Sequence, residues 1–396
     1  MEFQLEPKHA AKTHTNGVSG LATLNGYVYS SSKDSTIKEW DLEGQNTRTF
    51  TGHTRWIRSL SVGNNRLFSG SWDNTVREWN LETGEAVRVF DDQHEGGVNS
   101  VLVDENAGKL YSGGEDGSIC VYDLTIGEVV ERYEANEPVL ALASVGGIFV
   151  FASHANGSIS LFDATTFELL ETSASTSSEA TGLVVLADRL YSSNNDKTIK
   201  EYDVDNWVSQ RVFRGHSGFV SSIVGDAGSL ENGGLVGPRL FSGDWSGAIK
   251  VWDLVKGTCL GTIRAFDGRS VNALVLLPEH GLLVAGASSG EIKWFDLNEL
   301  PHSFAGTVGQ PLPSFDAPSQ QAASSYGNPY GGQQHQQSFA VRPSYNSYSG
   351  QQQPLYNAQQ PSYQSYGGQQ VSYGQQQQQS SYGPKPDSSA AISIIG

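Results

Sequence analysis

An all-β chain of seven repeated units, followed by a tail unable to build a core, is the fold class this sequence predicts. Three observations carry it. An aromatic followed by Asp or Asn recurs seven times at near-constant spacing. The residues between read as short strands and tight turns. Past about residue 304, Leu, Ile, Val and charged side chains nearly vanish.

The recurring pairs are Trp40-Asp41, Trp79-Asn80, Tyr122-Asp123, Phe162-Asp163, Tyr202-Asp203, Trp252-Asp253 and Phe295-Asp296, spaced 39, 43, 40, 40, 50 and 43 residues apart. Each ends a stretch of one form, such as "SKDSTIKEWD", "SWDNTVREWN" or "NNDKTIKEYD". In "TIKEW", Ile37 and Trp40 fall on opposite pleat faces, as in a strand buried on both sides. A second short run, "RLFSGS" or "RLYSSN", lies upstream. The turn between carries Asp, Asn, Gly or Ser, which tolerate tight turn geometry. No long apolar period of 3.6 residues appears anywhere.

These units resemble the WD-repeat family over residues 1–304. The resemblance implies a seven-bladed β-propeller of four-stranded blades. A lone sheet of ~40 residues cannot bury both faces; seven in a ring bury the faces between neighbours. Residues 1–304 are therefore expected to form the propeller and 305–396 a disordered extension.

The family's internal hydrogen-bond chain is a His before the first strand, a Ser, the turn Asp and the Trp. Blade one has His14, Ser30, Asp34 and Trp40. Blade two has His53, Ser69, Asp73 and Trp79. Blade three keeps His94, Ser112 and Asp116 but has Tyr122 as its aromatic. Blade six keeps His216, Ser242 and Trp252, with Ser246 where Asp is expected. Blades four, five and seven lack the His. The resemblance implies that the carboxylate accepts from the imidazole and that the chain continues through the hydroxyl to the indole. Recurrence at repeat spacing makes these residues structural rather than catalytic.

The segment "EFQLEPKHAAKT" is left over before the first unit. Residues 2–13 are expected to supply the outer strand of the last blade and latch the ring. "LPHSFAGTV", residues 300–308, is the rival for that strand. The insertion "GDAGSLENGGLVGP" in blade six reads as a flexible loop, on the bottom face by the fold's geometry. The Asn156-Gly157-Ser158 sequon reads as an ordinary turn.

In the family's geometry the residue before the turn Asp points outward on the top face, beside the residues that flank and begin the first strand. Large aromatics gather there in blades two and six: Trp56, Trp72, Phe219 and Trp245, with Arg58. Lys33, Glu115 and Asn99 hold matching positions in blades one and three. Trp, Tyr and Arg dominate binding hot spots, and exposed aromatics that can touch one another mark an interaction patch. Trp72 poses the sharper question, because hairpin tips normally take small polar residues.

Charge narrows the partner. The net charge is −17, and beyond Ala305 only Asp316, Arg342, Lys385 and Asp387 are charged. The propeller thus holds about 40 acidic against 23 basic residues. Phosphate binding needs clustered Lys and Arg, so nucleic acid is excluded for the propeller, and a neutral or basic protein segment is expected. Two cysteines, Cys120 and Cys259, are too few for a disulfide scaffold and read as reduced thiols. No signal peptide is visible, and no apolar run approaches the ~18 residues of a membrane span. A cytoplasmic or nuclear protein with no membrane partner is expected. No P-loop, HExxH, GxSxG or CxxC occurs, and the Cys and His spacing suits no metal. No enzyme activity, cofactor or metal is expected.

Two alternatives remain open. Some cullin-ligase substrate receptors carry Arg two residues after the Asp of the WD pair. Here those positions hold Glu43, Glu82, Thr125, Thr165, Asp205, Val255 and Asn298. A ribonucleoprotein subunit is the other. The tail, built from Ser, Tyr, Gly, Gln and Pro, looks like the low-complexity tails of RNA-binding proteins and suits weak self-association, though it lacks Arg-Gly repeats.

Overall fold

The computed structural model describes residues 2–300, apart from 4, 177, 187–188, 204–208, 227–229, 232–233 and 236–237. They form a seven-bladed β-propeller with almost no helix. The tail and most of the 300–308 rival strand lie outside the described residues.

Blade one shows the plan: Val18–Leu24, Tyr27–Ser32, Ile37–Trp40 and Asn46–Phe50 pair antiparallel in that order. The first strands of the other blades are Ile57–Gly63, Val98–Asp104, Val139–Val145, Ala180–Leu186, Val220–Asp226 and Val271–Leu277. They pack successively around the ring, the last against the first. The third strand is buried on both faces, as its sequence implies: Ile37 and Trp40 are both fully buried. The cores therefore lie between blades. Trp40, Val18 and Val28 of blade one pack with Val284, Ile292 and Trp294 of blade seven, the two indoles edge to face at 5.8 Å. Burying side chains of this size stabilises by roughly 1.5–3 kcal/mol each.

The turn into the third strand needs a left-handed residue. Gly117, Gly157, Gly247 and Gly290 supply it in four blades. Ser35, Asn74 and Lys197 take the same positive φ in the other three, at a conformational cost that glycine avoids.

The N-terminal segment divides where one strand was expected. His9–Lys12 pairs antiparallel with Glu291–Asp296 as the outer strand of blade seven, His9 opposite Trp294. Glu2–Phe3 instead pairs in parallel with the outer strand of blade six, opposite Thr262 and Ile263, and Glu2 forms an ion pair with Arg264. Leu5, between the two pieces, is buried in the core that joins blades six and seven. Pro7 offers no amide and cannot continue a ladder, which accounts for the break. Within the blade-six insertion, Leu230–Glu231 and Gly234–Leu235 pair as a short antiparallel ribbon.

Candidate functional site

One local irregularity builds the top face. In every blade the register between the first and second strands shifts across the strand's second residue: Ser19, Arg58, Asn99, Leu140, Thr181, Ser221 and Asn272. A bulge leaves its extra residue unpaired and re-aims its side chain. Five of the seven use that freedom to reach the next blade. Ser19 donates to the carbonyl of Ile57, and Asn99 to that of Val139 at 3.0 Å. Thr181 donates to Val220 at 2.8 Å, Ser221 to Val271 at 2.6 Å and Asn272 to Val18 at 2.9 Å. At Leu140 the bond is replaced by Ser153, whose hydroxyl donates to Ala180 at 2.8 Å. Arg58 makes no such bond among the described residues, and its Nε is buried without a partner.

A second backbone pattern sets two rings of residues side by side. In each blade the residue before the turn donates its amide to the carbonyl of the residue before the first strand. Trp72 to Trp56 spans 2.8 Å, Trp245 to Phe219 3.0 Å and Glu115 to Gly97 2.8 Å. The large aromatics at these positions consequently form two separate pairs. Trp56 and Trp72 stack, centroids 5.0 Å apart and planes 19° from parallel. Phe219 and Trp245 meet at 5.0 Å with planes tilted 60°.

The two tryptophans before the turn differ. Trp72 lies back over the next blade: a Cβ on Gly97 would fall 2.6 Å from its Cδ1, so only glycine leaves room for the ring. Its Nε1 donates to Asn99 Oδ1 at 3.3 Å, and Asn99 donates to Glu115 at 3.1 Å. Trp72 is half-buried in consequence. Blade seven presents Ser270 where blade three presents Gly97, and Trp245 stands 58% exposed. Trp56 and Phe219 are each 37% exposed.

Cations join only the first pair. The Lys33 ammonium lies 4.7 Å from the Trp56 ring centroid, and the Arg58 guanidinium 5.9 Å from that of Trp72. Burial lowers the Lys33 pKa, and neighbouring Arg58 lowers it further. Burial also lowers that of Arg58, against the pull of Glu115. Glu115 itself is exposed and Asn99 buried.

The hydrogen-bond chains lie beneath. In blade two the Trp79 Nε1–H donates to Ser69 Oγ at 2.8 Å, Ser69 Oγ meets His53 Nε2 at 2.7 Å, and His53 Nδ1 meets Asp73 at 2.7 Å. One proton order satisfies all of it: Ser69 donates to Nε2, and Nδ1–H donates to the carboxylate. The imidazole is then neutral, in keeping with burial, which lowers the His53 pKa despite Asp73. Burial alone would raise the Asp73 carboxyl. Hydrogen bonds from His53, Thr75 and the Thr54 amide hold it well below the usual carboxylate range instead. Blade one repeats the chain through His14, Ser30, Asp34 and Trp40. Blade three does so through His94, Ser112 and Asp116, with the Tyr122 hydroxyl 3.0 Å from Ser112.

Blade six corrects the sequence alignment. Ser246 does not take the carboxylate's place. Asp244, two residues earlier, meets His216 Nδ1 at 2.9 Å, and Ser246 donates to Asp244. Ser242 joins His216 to Trp252 as expected. The same strand-end position serves the blades that lack the His. Blade four places His154 there, 2.8 Å from Ser160. Blade five places Asn194 there, donating to Ser192 Oγ at 3.1 Å. Blade seven has Ala287, and the Trp294 Nε1 is buried without a partner. A polar residue at the end of the second strand was the signal available in sequence.

A cleft of about 430 Å³ lies beside blade six and is lined by Glu2, Ser217, Ser246, Lys250, Thr262 and Arg264 among others. It holds neither aromatic pair. Among the described residues no three His, Cys, Asp or Glu side chains are grouped to hold a metal ion. No helix there is long and apolar enough to cross a membrane.

Seven four-stranded blades, closed by an N-terminal strand and pinned by repeated imidazole–hydroxyl–indole chains, define a β-propeller of repeat type. Four stretches match the model for the WD domain, G-beta repeat: residues 5–41, 44–80, 84–123 and 207–253. The chain therefore carries WD repeats. It is similar to an uncharacterized WD repeat-containing protein of Schizosaccharomyces pombe, 33% identical over 113 residues, which covers 28% of this chain and 30% of the relative. The matched stretches fall on blades one, two, three and six, the four that carry the His.

Proposed function

We propose that this propeller is a non-enzymatic interaction scaffold whose top face binds a protein or peptide segment. WD-repeat propellers in general bind proteins or peptides, which supports the coarse reading. The observation that carries the finer one is the exposure of Trp245, Phe219 and Trp56 on one face. Large rings left in water are costly in isolation and become anchors once a partner covers them. The strongly acidic domain favours a segment that is neutral or basic overall.

The tail, by composition, adds weak multivalent association rather than the main contact. Its Ser-, Tyr-, Gly- and Gln-rich sequence also favours a place in a ribonucleoprotein assembly, reached through protein contacts. Exposure selects the variant for the test: Trp56→Ala with Trp245→Ala, in the full chain. That protein is expected to stay folded and to lose the main partners recovered by affinity purification. Removing residues 305–396 is expected to leave those partners bound and to abolish concentration-dependent clustering. Partner loss on tail removal alone, with normal capture by the double variant, would overturn the reading.

A further inference from the structure

We propose that Lys33 and Arg58, flanking the Trp56–Trp72 stack, form a subsite for a single carboxylate carried by the bound peptide segment, an Asp or Glu beside an apolar residue. The inference rests on the top face being the binding surface. It concerns one anchor, so the segment as a whole remains neutral or basic.

Geometry supplies the first support. The bulged ring position is filled in five blades by a residue that completes a hydrogen bond to the next blade. Arg58 abandons that bond, and its Nε is buried with no partner. A buried donor left unmatched is destabilising. The Nε atoms of Arg77 and Arg239 are buried in the same way; what sets Arg58 apart is its place on the top face, beside Lys33 and near the Trp72 ring. A guanidinium is moreover the side chain whose fork best matches a carboxylate.

The second support is charge. Lys33 makes no ion pair or side-chain hydrogen bond among the described residues, and neighbouring Arg58 opposes its charge. Among the described residues the carboxylate that acts on Arg58 is that of Glu115, which is exposed and already accepts from Asn99. Lys38, Lys109 and Lys250 are also partly buried and outside any ion pair, but each donates to an acceptor of the fold, whereas Lys33 and Arg58 stand side by side with no such bond among the described residues. The third support is the footing: the half-exposed indole of Trp56 lies under the Lys33 ammonium. An apolar neighbour of the incoming carboxylate can cover that ring while the anion sits between the cations.

The indole N–H groups of the full chain, labelled with nitrogen-15 tryptophan, report on the site directly by NMR. Assignment follows from single Trp→Phe variants. The probes are acetylated, amidated pentapeptides: Gly-Leu-Glu-Leu-Gly, its Gln counterpart, its Lys counterpart and its phosphoserine counterpart. The Glu peptide is expected to shift the Trp56 and Trp72 signals with a Kd about tenfold below that of the Gln peptide, as for one charge-assisted pair. The Trp245 signal is expected to stay in place. Arg58→Gln and Lys33→Gln are each expected to erase the preference for Glu, and Arg58→Lys to keep part of it. Thermal melts check that each variant is folded.

Equal responses to Glu and Gln, a preference for Lys, or no response from Trp56 and Trp72 to any peptide would overturn the subsite. A response to the phosphoserine peptide without one to Glu would overturn the carboxylate in favour of phosphate. Failure here is separable from failure of the scaffold reading. If Arg58→Gln keeps its partners while Trp56→Ala with Trp245→Ala loses them, the binding face stands and the anion subsite falls.

Discussion

Blades two and six hold the same residues in nearly the same order and put them to different use. "SGSWDN" and "SGDWSG" each end a second strand and open a turn with tryptophan. In blade two the carboxylate follows the tryptophan, as Asp73. In blade six it precedes it, as Asp244, and both reach an imidazole Nδ1 within 2.9 Å. Beside Gly97, Trp72 folds down; beside Ser270, Trp245 stays out. The conserved requirement is thus an acceptor at one point in space, which two backbone positions can deliver. The fate of an aromatic at a hairpin tip is set by the blade next door.

The carboxylate swap offers the largest effect. Asp73→Ala and Asp244→Ala each strand a buried imidazole N–H and leave several further donors without their acceptor. Each is expected to cost up to about 3 kcal/mol in chemical denaturation. The partner positions should behave in reverse, with Ser71→Ala and Ser246→Ala each costing about 1 kcal/mol. If Ser246→Ala is the more damaging in blade six, the assignment of Asp244 fails.

Acid should erode both blades in two stages. The His53 and His216 pKa values are lowered by burial against the pull of Asp73 and Asp244. The unfolded chain therefore binds protons first, and stability falls as pH drops below about 6.5. Asp73 and Asp244 are held below the ordinary carboxylate range. Their contribution is complete above about pH 4 and is lost as pH falls further. Melting temperatures between pH 8 and 3 are expected to show both stages. In Asp73→Asn the lower stage should be shallower.

Smaller effects separate the tryptophans themselves. Gly97→Ala forces a methyl against the Trp72 ring and is expected to cost about 1–3 kcal/mol by overpacking. It should shift the Trp72 indole signal toward that of an exposed ring, and Ser270→Ala should leave Trp245 unmoved. Trp72→Ala is expected to cost about 1–2 kcal/mol, and Trp245→Ala under about 0.5 kcal/mol. Equal costs would mean that Trp245 is packed after all.

The repeat could be read from spacing, because period and turn chemistry are local, and the resemblance to the WD-repeat family supplied the strand order and the complete chains of blades one and two. Asp244 could not: aligning blades on the residue after the tryptophan pointed to Ser246. His154 and Asn194 were hidden for the same reason, as each replaces a distant His with a residue from its own strand end. The division of the N-terminal segment turns on Pro7, a residue present in the sequence whose missing amide interrupts one continuous strand. The Lys33–Trp56–Trp72–Arg58 group draws on two blades and rests on Gly97 of a third. Its members' places on the top face followed from their repeat positions, but the stacking, the cation contacts and the room left by Gly97 depend on packing between blades that no linear pattern carries.

The strand His9–Lys12 also has a consequence in time. It pairs with residues that are made some two hundred and eighty positions later, so during synthesis it must wait while six blades take shape. Closing a loop of that length costs entropy, and the docking that completes blade seven can come only after Glu291–Asp296 has been made. Until then the outer edge of Glu291–Asp296 has no native cover, and the newborn chain is most open to mispairing there. Once docked, Glu2–Phe3 and Leu5 bind a second blade as well, so the seam closes like a buckle with two prongs.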